Sequence, residues 1–284
     1  DLLLPAANYE EPDTVWEESG GSDFVFPHPF PAEPAAVGGV FANYPAMDSL
    51  TLAFALQGLL EKQLGADARR TDLLAVSLST TDAVGHQYGP DSREIHDQIL
   101  RLDRYLGAFL DSLFKLRDQR RIVVAFTGDH GVSPYPEVHS GRYANQNAKR
   151  VDLRPQVAAF AASLAAVGVP DNTWAFDDGV FFVRNAAAFD SARVNADSVA
   201  RAFAAVLRKV PGVQRADMFS SFAKAKPSKD KIARRWLHMF APGGAARMAV
   251  TLTPYSYWAT TNYATHGMPH DPDANVPVVF WGMG

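Results

Sequence analysis

Three short stretches place histidine and aspartate where they could share a metal ion. They are TTDAVGHQYGP (80–90), with Asp82 and His86 four positions apart, TGDHG (127–131), with Asp129 and His130 adjacent, and THGMPHDPD (265–273), with His266 ahead of His270, Asp271 and Asp273. Imidazole nitrogen and carboxylate oxygen bind zinc at about 2.0–2.2 Å, so a site needs three or four such groups arriving from separate segments. The chain has no cysteine, which excludes disulfides and thiolate sites and leaves His, Asp and Glu to hold any metal. Taken singly, an Asp–His pair beside a strand is more often a hydrogen-bonded loop device. Three such pairs, each bordering an apolar run, favour ligation.

The elements that must position these groups follow from the surrounding pattern. DLLAVSLS (72–79) and IVVAFT (122–127) are short apolar runs without clean alternation, as expected of strands covered on both faces, and VPVVFWG (276–282) reads the same way. Between the first two, Ile95, Ile99, Leu102, Leu106, Phe109 and Leu113 recur at steps of four and three, which predicts a long amphipathic helix. Asp91 with Glu94 resembles a capping box at its start, and Gly89-Pro90 closes the preceding loop, in which Gly85 would act as a pliable joint. Strand, loop, helix, strand and loop make a βαβ unit, with both metal loops at the carboxyl edge of a parallel sheet.

The rest of the chain divides by composition. Residues 1–46, rich in Pro, Gly and aromatics, read as an extended arm with little regular structure. Residues 47–150 hold the metal-site core, beginning with a helix from Ala46 that stops near Gly65. Residues 151–246 read as an α+β insertion of helices (VAAFAASLAAVG, SVARAFAAVLRKV, KDKIARRWLHMF) and strands (GVFFVR, GVQRADMF), and residues 247–284 supply C-terminal strands around the third metal loop. The expected class is α/β, a mostly parallel sheet sandwiched between helices with an α+β insertion. A formal charge of -4 over 284 residues and the lack of any long Lys/Arg run give no electrostatic footprint for nucleic acid. No apolar run approaches the roughly 20 residues needed to span a bilayer.

The order of these segments resembles a family. DLLAVSLSTTDAVGHQYGPDSREIHDQILRLDRYLG, IVVAFTGDHGVS and THGMPHDPDANVPVVFWG together are similar to the type I phosphodiesterase/nucleotide pyrophosphatase branch of the alkaline phosphatase superfamily. The LLLP and FPHPF segments upstream add a likeness to the phosphate-irrepressible bacterial alkaline phosphatases within it. The resemblance runs through most of the chain and is loosest over 151–250. It implies zinc, two ions, with Asp82, His86 and His266 as ligands of one and Asp129 and His130 as two ligands of the other. It implies hydrolysis of a phosphate ester, monoesters by overall likeness, with nucleotide diesters as the alternative, manganese-dependent phosphomutase chemistry as another, and a periplasmic or secreted location. Outside the enzyme class, the same loops would serve as metal staples of a non-catalytic binding or assembly domain.

Two parts of the family pattern have no match: an Asp at the end of an early strand, and a Thr or Ser nucleophile at a helix N-terminus where an anion is favoured. Thr14 in EEPDTVW has no apolar run before it. The expectation is therefore a C-terminal part of a larger enzyme, inactive alone in phosphoryl transfer, with a sheet edge available for self-association. His96, one residue after a core helix position, reads as partly solvated; His28, His139 and His238 have no acidic partner at ligand spacing, and His270 and Asp273 read as turn or supporting residues.

Overall fold

Proline and small polar residues open most helices of this chain, and glycines with positive φ close several of its segments. The computed structural model describes all residues except 1–2, 15, 18–23, 138–146, 223, 225, 227, 242, 260–263 and 283–284; His139 lies outside the described residues. In chain order the helices are α1 (Pro34–Val40), α2 (Ala46–Glu61), α3 (Thr80–Tyr88), α4 (Arg93–Leu116), α5 (Arg154–Ala166), α6 (Ala186–Ser191), α7 (Ala196–Leu207), α8 (Phe219–Phe222), α9 (Lys231–Met239) and α10 (Asp271–Ala274). The strands are β1 (Val123–Thr127), β2 (Arg150–Val151), β3 (Trp174–Asp177), β4 (Val180–Val183), β5 (Val213–Met218), β6 (Ala246–Leu252), β7 (Tyr257–Trp258) and β8 (Val278–Gly282). The chain forms two units: Asp1–Tyr135 with Asn262–Thr265 and Val276–Gly284, and Pro136–Thr261 with His266–Asn275.

In the first unit the arm is more ordered than its composition suggests. Pro34 occupies the first turn of α1, where its fixed φ suits a helix and its missing N–H costs nothing, and short 3-10 turns form at Ala6–Asn8 and Phe41–Asn43. Helix α4 packs against α2 and α3. Its N-cap is Ser92, whose side chain accepts from the Ile95 N–H, one residue later than the capping box expected from Asp91. The buried positions of its first turns are Glu94, Asp97 and Gln98, whereas Ile99 on the expected apolar stripe is exposed. Polar partners explain the inversion. Tyr9 Oη donates to Asp97 Oδ1 at 2.6 Å, Gln98 Nε2 donates to Asp48 Oδ2 at 2.9 Å, and His28 Nε2 meets Glu94 Oε1 at 2.8 Å.

Two strand expectations change. Residues 72–79 carry no strand pairing, and Leu73 and Leu74 are exposed; an apolar run becomes a strand only where a neighbour completes its ladder. Strand β1 forms as expected but pairs antiparallel with β8, in register Val123↔Gly282 to Thr127↔Val278, so the parallel βαβ reading is not realised between these elements. Both strands are largely exposed rather than buried.

The second unit is built on a four-stranded antiparallel sheet of order β3-β4-β6-β5, with β2 and β7 pairing in parallel beside it. Alternation along β4 sends Phe181 and Val183 into one core and Val180 and Phe182 into another. The first core takes α5 and α7, with Phe160 and Phe203 stacked at 4.0 Å, and the second takes α8 and α9 through Phe219, Phe222 and Trp236. The β3–β4 hairpin turns at Asp178 and Gly179, both with positive φ, and a Cβ on Gly179 would stand 2.6 Å from the Trp258 ring, so only glycine fits. The class is α/β, with helices and strands mixed along the chain and antiparallel pairing dominant among the described strands.

Candidate metal centre

Asp82 and His86 lie on a helix rather than in a loop. α3 has no apolar stripe strong enough to announce it, but it runs from Thr80 to Tyr88 and ends where Gly89 takes φ +88°. The i,i+4 step then puts both side chains on one face, one above the other. Gly85 is a buried residue of that helix rather than a joint in a loop, and a Cβ there would make ordinary contacts with Ile95 and Val132.

The TGDHG turn follows β1 directly and brings His130 to the same face. Asp82 Oδ1 lies 3.4 Å from His86 Nε2 and 3.8 Å from His130 Nε2, and Asp129 Oδ2 lies 3.6 Å from His130 Nε2. Backbone contacts hold the two segments together: Ala264 N–H donates to the His86 carbonyl at 2.9 Å, Ser133 N–H to the Thr265 carbonyl at 3.0 Å, and Tyr135 Oη to the Gln87 carbonyl.

The imidazole orientations are chemically specific. His86 Nδ1 meets the Ala264 carbonyl and His130 Nδ1 the Gly131 carbonyl. A carbonyl oxygen only accepts, so each Nδ1 carries a hydrogen and each ring turns its Nε2 toward the Asp82 carboxylate, where a neutral imidazole offers a lone pair. A lone pair facing a carboxylate at 3.4–3.8 Å is resolved by a shared proton or a shared cation. Backbone-oriented imidazoles of this kind are the usual support of metal-ligating histidines. The donor set, two Nε2 and two carboxylates without sulfur, suits zinc.

Within the first unit the structure thus brings together Asp82, His86, Asp129 and His130. Asp129 is the outlying member, its side chain 89% exposed. His266 begins the 266–275 segment of the second unit, immediately after Thr265. In that segment His270 is buried and donates to the Leu252 carbonyl at 2.8 Å, Asp273 accepts from the Met268 N–H, and Asp271 pairs with Arg235 at 2.7 Å, all turn-stabilising roles. The Arg235 guanidinium holds the Asp271 carboxyl below the usual range. Sequence reasoning missed the Ala264 carbonyl and the Ser133–Thr265 bridge, because main-chain partners leave no mark in residue type. It also missed the acidic partner of His28, Glu94, which lies 66 positions away.

The model of the type I phosphodiesterase / nucleotide pyrophosphatase family matches residues 16–214. The chain belongs to this family. It falls within the alkaline phosphatase superfamily, as its relatives show. It is 33% identical over 260 residues to the alkaline phosphatase PhoK of a Sphingomonas species, covering 86% of this chain and 45% of that protein. It is 39% identical over 117 residues to the alkaline phosphatase PhoV of Synechococcus elongatus, covering 41% of this chain and 21% of that protein. The crystal structure of wild-type alkaline phosphatase PafA superposes over the whole chain and 55% of its own, with a TM-score of 0.84 at 24% identity, and so shares the fold. The chain spans about half the length of the curated relatives it matches over most of its own length.

Proposed function

We propose that this chain supplies the metal-binding part of a zinc-dependent phosphoester hydrolase acting on phosphate monoesters. The observation that carries the reading is the convergence of His86 Nε2 and His130 Nε2 on Asp82 Oδ1, at 3.4 and 3.8 Å, with both Nδ1 atoms tied to backbone carbonyls. Asp82, His86 and His266 would hold one ion, and Asp129 and His130 would give two ligands to a second. His266 is included because Thr265, one peptide link away, is hydrogen-bonded to Ser133 just past the TGDHG turn, and neighbouring Cα atoms stay about 3.8 Å apart. Bound there, two ions supply positive charge at the attacking and leaving oxygens of an in-line phosphoryl transfer.

The side chains of this chain position and tune that centre. The Ala264 and Gly131 carbonyls accept from Nδ1 of His86 and His130, which orients both rings with Nε2 toward Asp82. Neither the remaining ligand nor the Thr or Ser nucleophile is assigned to a residue of this chain. By family likeness the enzyme works in the periplasm or outside the cell. A nucleotide diester is the second substrate class, favoured by the matched family description.

The test is hydrolysis of a chromogenic phosphate monoester and its matching diester by this chain with added zinc, alongside zinc titration by calorimetry. The expected result is zinc binding that Asp82→Ala weakens at least tenfold, without turnover of either ester. Turnover abolished by Asp129→Ala would place the nucleophile within these residues, and the monoester to diester ratio would name the reaction. Zinc binding unchanged in both Asp82→Ala and His86→Ala would remove the proposed centre.

A further inference from the structure

We infer that Asp13, Glu17 and Glu94 form a second cation site, oxygen-only and suited to a hard divalent ion of the calcium type. It shares no residue with the Asp82 centre. Polar contacts lay the acidic stretch NYEEPDT (8–14) against the start of α4: Arg93 Nε donates to the Glu11 carbonyl, His96 pairs with Glu11 at 3.0 Å, and Tyr9 Oη donates to Asp97. This delivers Asp13 and Glu17 to Glu94, in the first turn of the helix. One oxygen from each of the three carboxylates then lies within 4.8 Å of the others. Two oxygens bound to one calcium at about 2.4 Å lie at most about 4.8 Å apart, so the spacing is that of ligands around a common ion.

An acidic cluster alone would not mark a site, but the second oxygens do. Asp13 Oδ2 accepts from Arg93 Nη1 at 3.2 Å, Glu94 Oε1 meets His28 Nε2 at 2.8 Å, and Glu17 accepts from the Thr14 backbone N–H. Each carboxylate is thus oriented through one atom. Asp13 Oδ1, Glu17 Oε2 and Glu94 Oε2 are all buried and have no hydrogen-bond partner among the described residues; Glu17 is 3% and Glu94 7% exposed. Buried carboxylate oxygens left unmatched are costly, and three of them together call for a shared proton or a cation. The donors are oxygens, with the His28 Nε2 engaged on Glu94, which selects a hard ion over zinc. Glu94 and His28 also line a cavity of about 570 Å³.

Calcium binding to the full chain tests the inference, using chelator-treated protein and the Asp82→Ala variant so that the zinc centre does not contribute. Calcium chloride is expected to raise the Tm of both proteins by several degrees and to displace one terbium ion whose emission is excited through indole, Trp16 being adjacent to Glu17. Glu17→Gln is expected to abolish both responses. Should that variant fail to fold, Asp13→Asn, at a partly exposed position, is expected to weaken calcium binding at least tenfold. No calcium effect on Tm together with no sensitised terbium in the wild type overturns the site, as does an undiminished calcium response in Glu17→Gln or Asp13→Asn; the cluster is then neutralised by a proton alone.

Discussion

The two units use their sheets in opposite ways. In the second, the β3-β4-β6-β5 sheet is buried on both faces, with Phe181, Met248, Val250 and Leu252 at 0% exposure, and its helices close two separate cores over it. In the first, β1 and β8 pair over five residues and stay largely exposed, Phe280 at 73%, and the buried positions of the long helix α4 are mostly acids and amides. One unit is held by apolar area; the other relies more on polar contacts between distant segments, and it carries the acidic cluster together with Asp82, His86, Asp129 and His130. Apolar cores tolerate conditions that titrate or strip charges, whereas carboxylate and imidazole clusters do not. The difference predicts where stability and chemical sensitivity reside.

The largest effect should come from truncating the sheet cores. Phe181→Ala is expected to cost about 3–5 kcal/mol in chemical denaturation, as for other fully buried aromatics, whereas Phe280→Ala on the exposed strand should stay within about 1 kcal/mol. Comparable costs at the two positions would show that β8 is covered in solution, by a second copy or another segment, and would break the comparison. Next in size is the pH response of the acidic cluster. The Glu17 carboxyl is raised from its ordinary 4.5 to about 8, chiefly by burial and then by Glu94 and Asp13, while His28 works the other way. Folding therefore retains a proton that the unfolded chain has lost, so this contribution is complete below pH 4.5 and is lost as pH rises through about 8. In chelator, stability should fall across that window by on the order of 3 kcal/mol, after discounting for screening by Arg93 and His28. Glu17→Gln should flatten the fall, and a pH titration of the denaturation midpoint reads both.

How much of this was legible depended on whether the deciding partner was local. The α5, α7 and α9 segments, β4, β5 and β6 were readable because periodicity and apolar runs report burial against a sheet that this chain itself contains. DLLAVSLS read as a strand for the same reason, but a ladder needs a neighbour, and no described strand pairs with it. The residue types of the metal centre were visible from spacing, while its setting was not: Asp82 and His86 sit on helix α3, whose apolar residues form no strong stripe, and the carbonyls that orient the rings come from Ala264 and Gly131. Least legible was the arm. Its Tyr9 and His28 find partners 88 and 66 positions away, so Asp97 and Glu94 look like the solvent face of α4 in sequence and are buried in the fold.

A smaller effect sharpens the contrast at the zinc centre. Because Asp82 is about half exposed, Asp82→Ala in metal-free protein should change stability by no more than about 0.5 kcal/mol. With zinc at a hundred times the dissociation constant, the wild type should gain about 2.7 kcal/mol and the variant far less. Equal loss with and without zinc would make Asp82 a structural residue of α3 instead.

The smallest prediction compares two helix caps of the same geometry. Ser92 accepts from the Ile95 N–H at 3.2 Å to start α4, and Asn195 accepts from the Ser198 N–H at 2.8 Å to start α7. A lost cap costs typically about 1 kcal/mol. Ser92 is also buried and donates its hydroxyl to the Gly89 carbonyl at 3.0 Å, tying the end of α3 to the start of α4. Ser92→Ala removes both bonds and leaves buried main-chain groups unmatched, so it should cost nearer 2 kcal/mol, against about 1 for the exposed Asn195→Ala. The substitution should also loosen the helix that carries Asp82 and His86, read as weaker zinc affinity in Ser92→Ala and unchanged affinity in Asn195→Ala. Equal costs, with zinc affinity untouched by either, would mean that the α3–α4 junction is held by the Tyr135 bond to the Gln87 carbonyl rather than by Ser92.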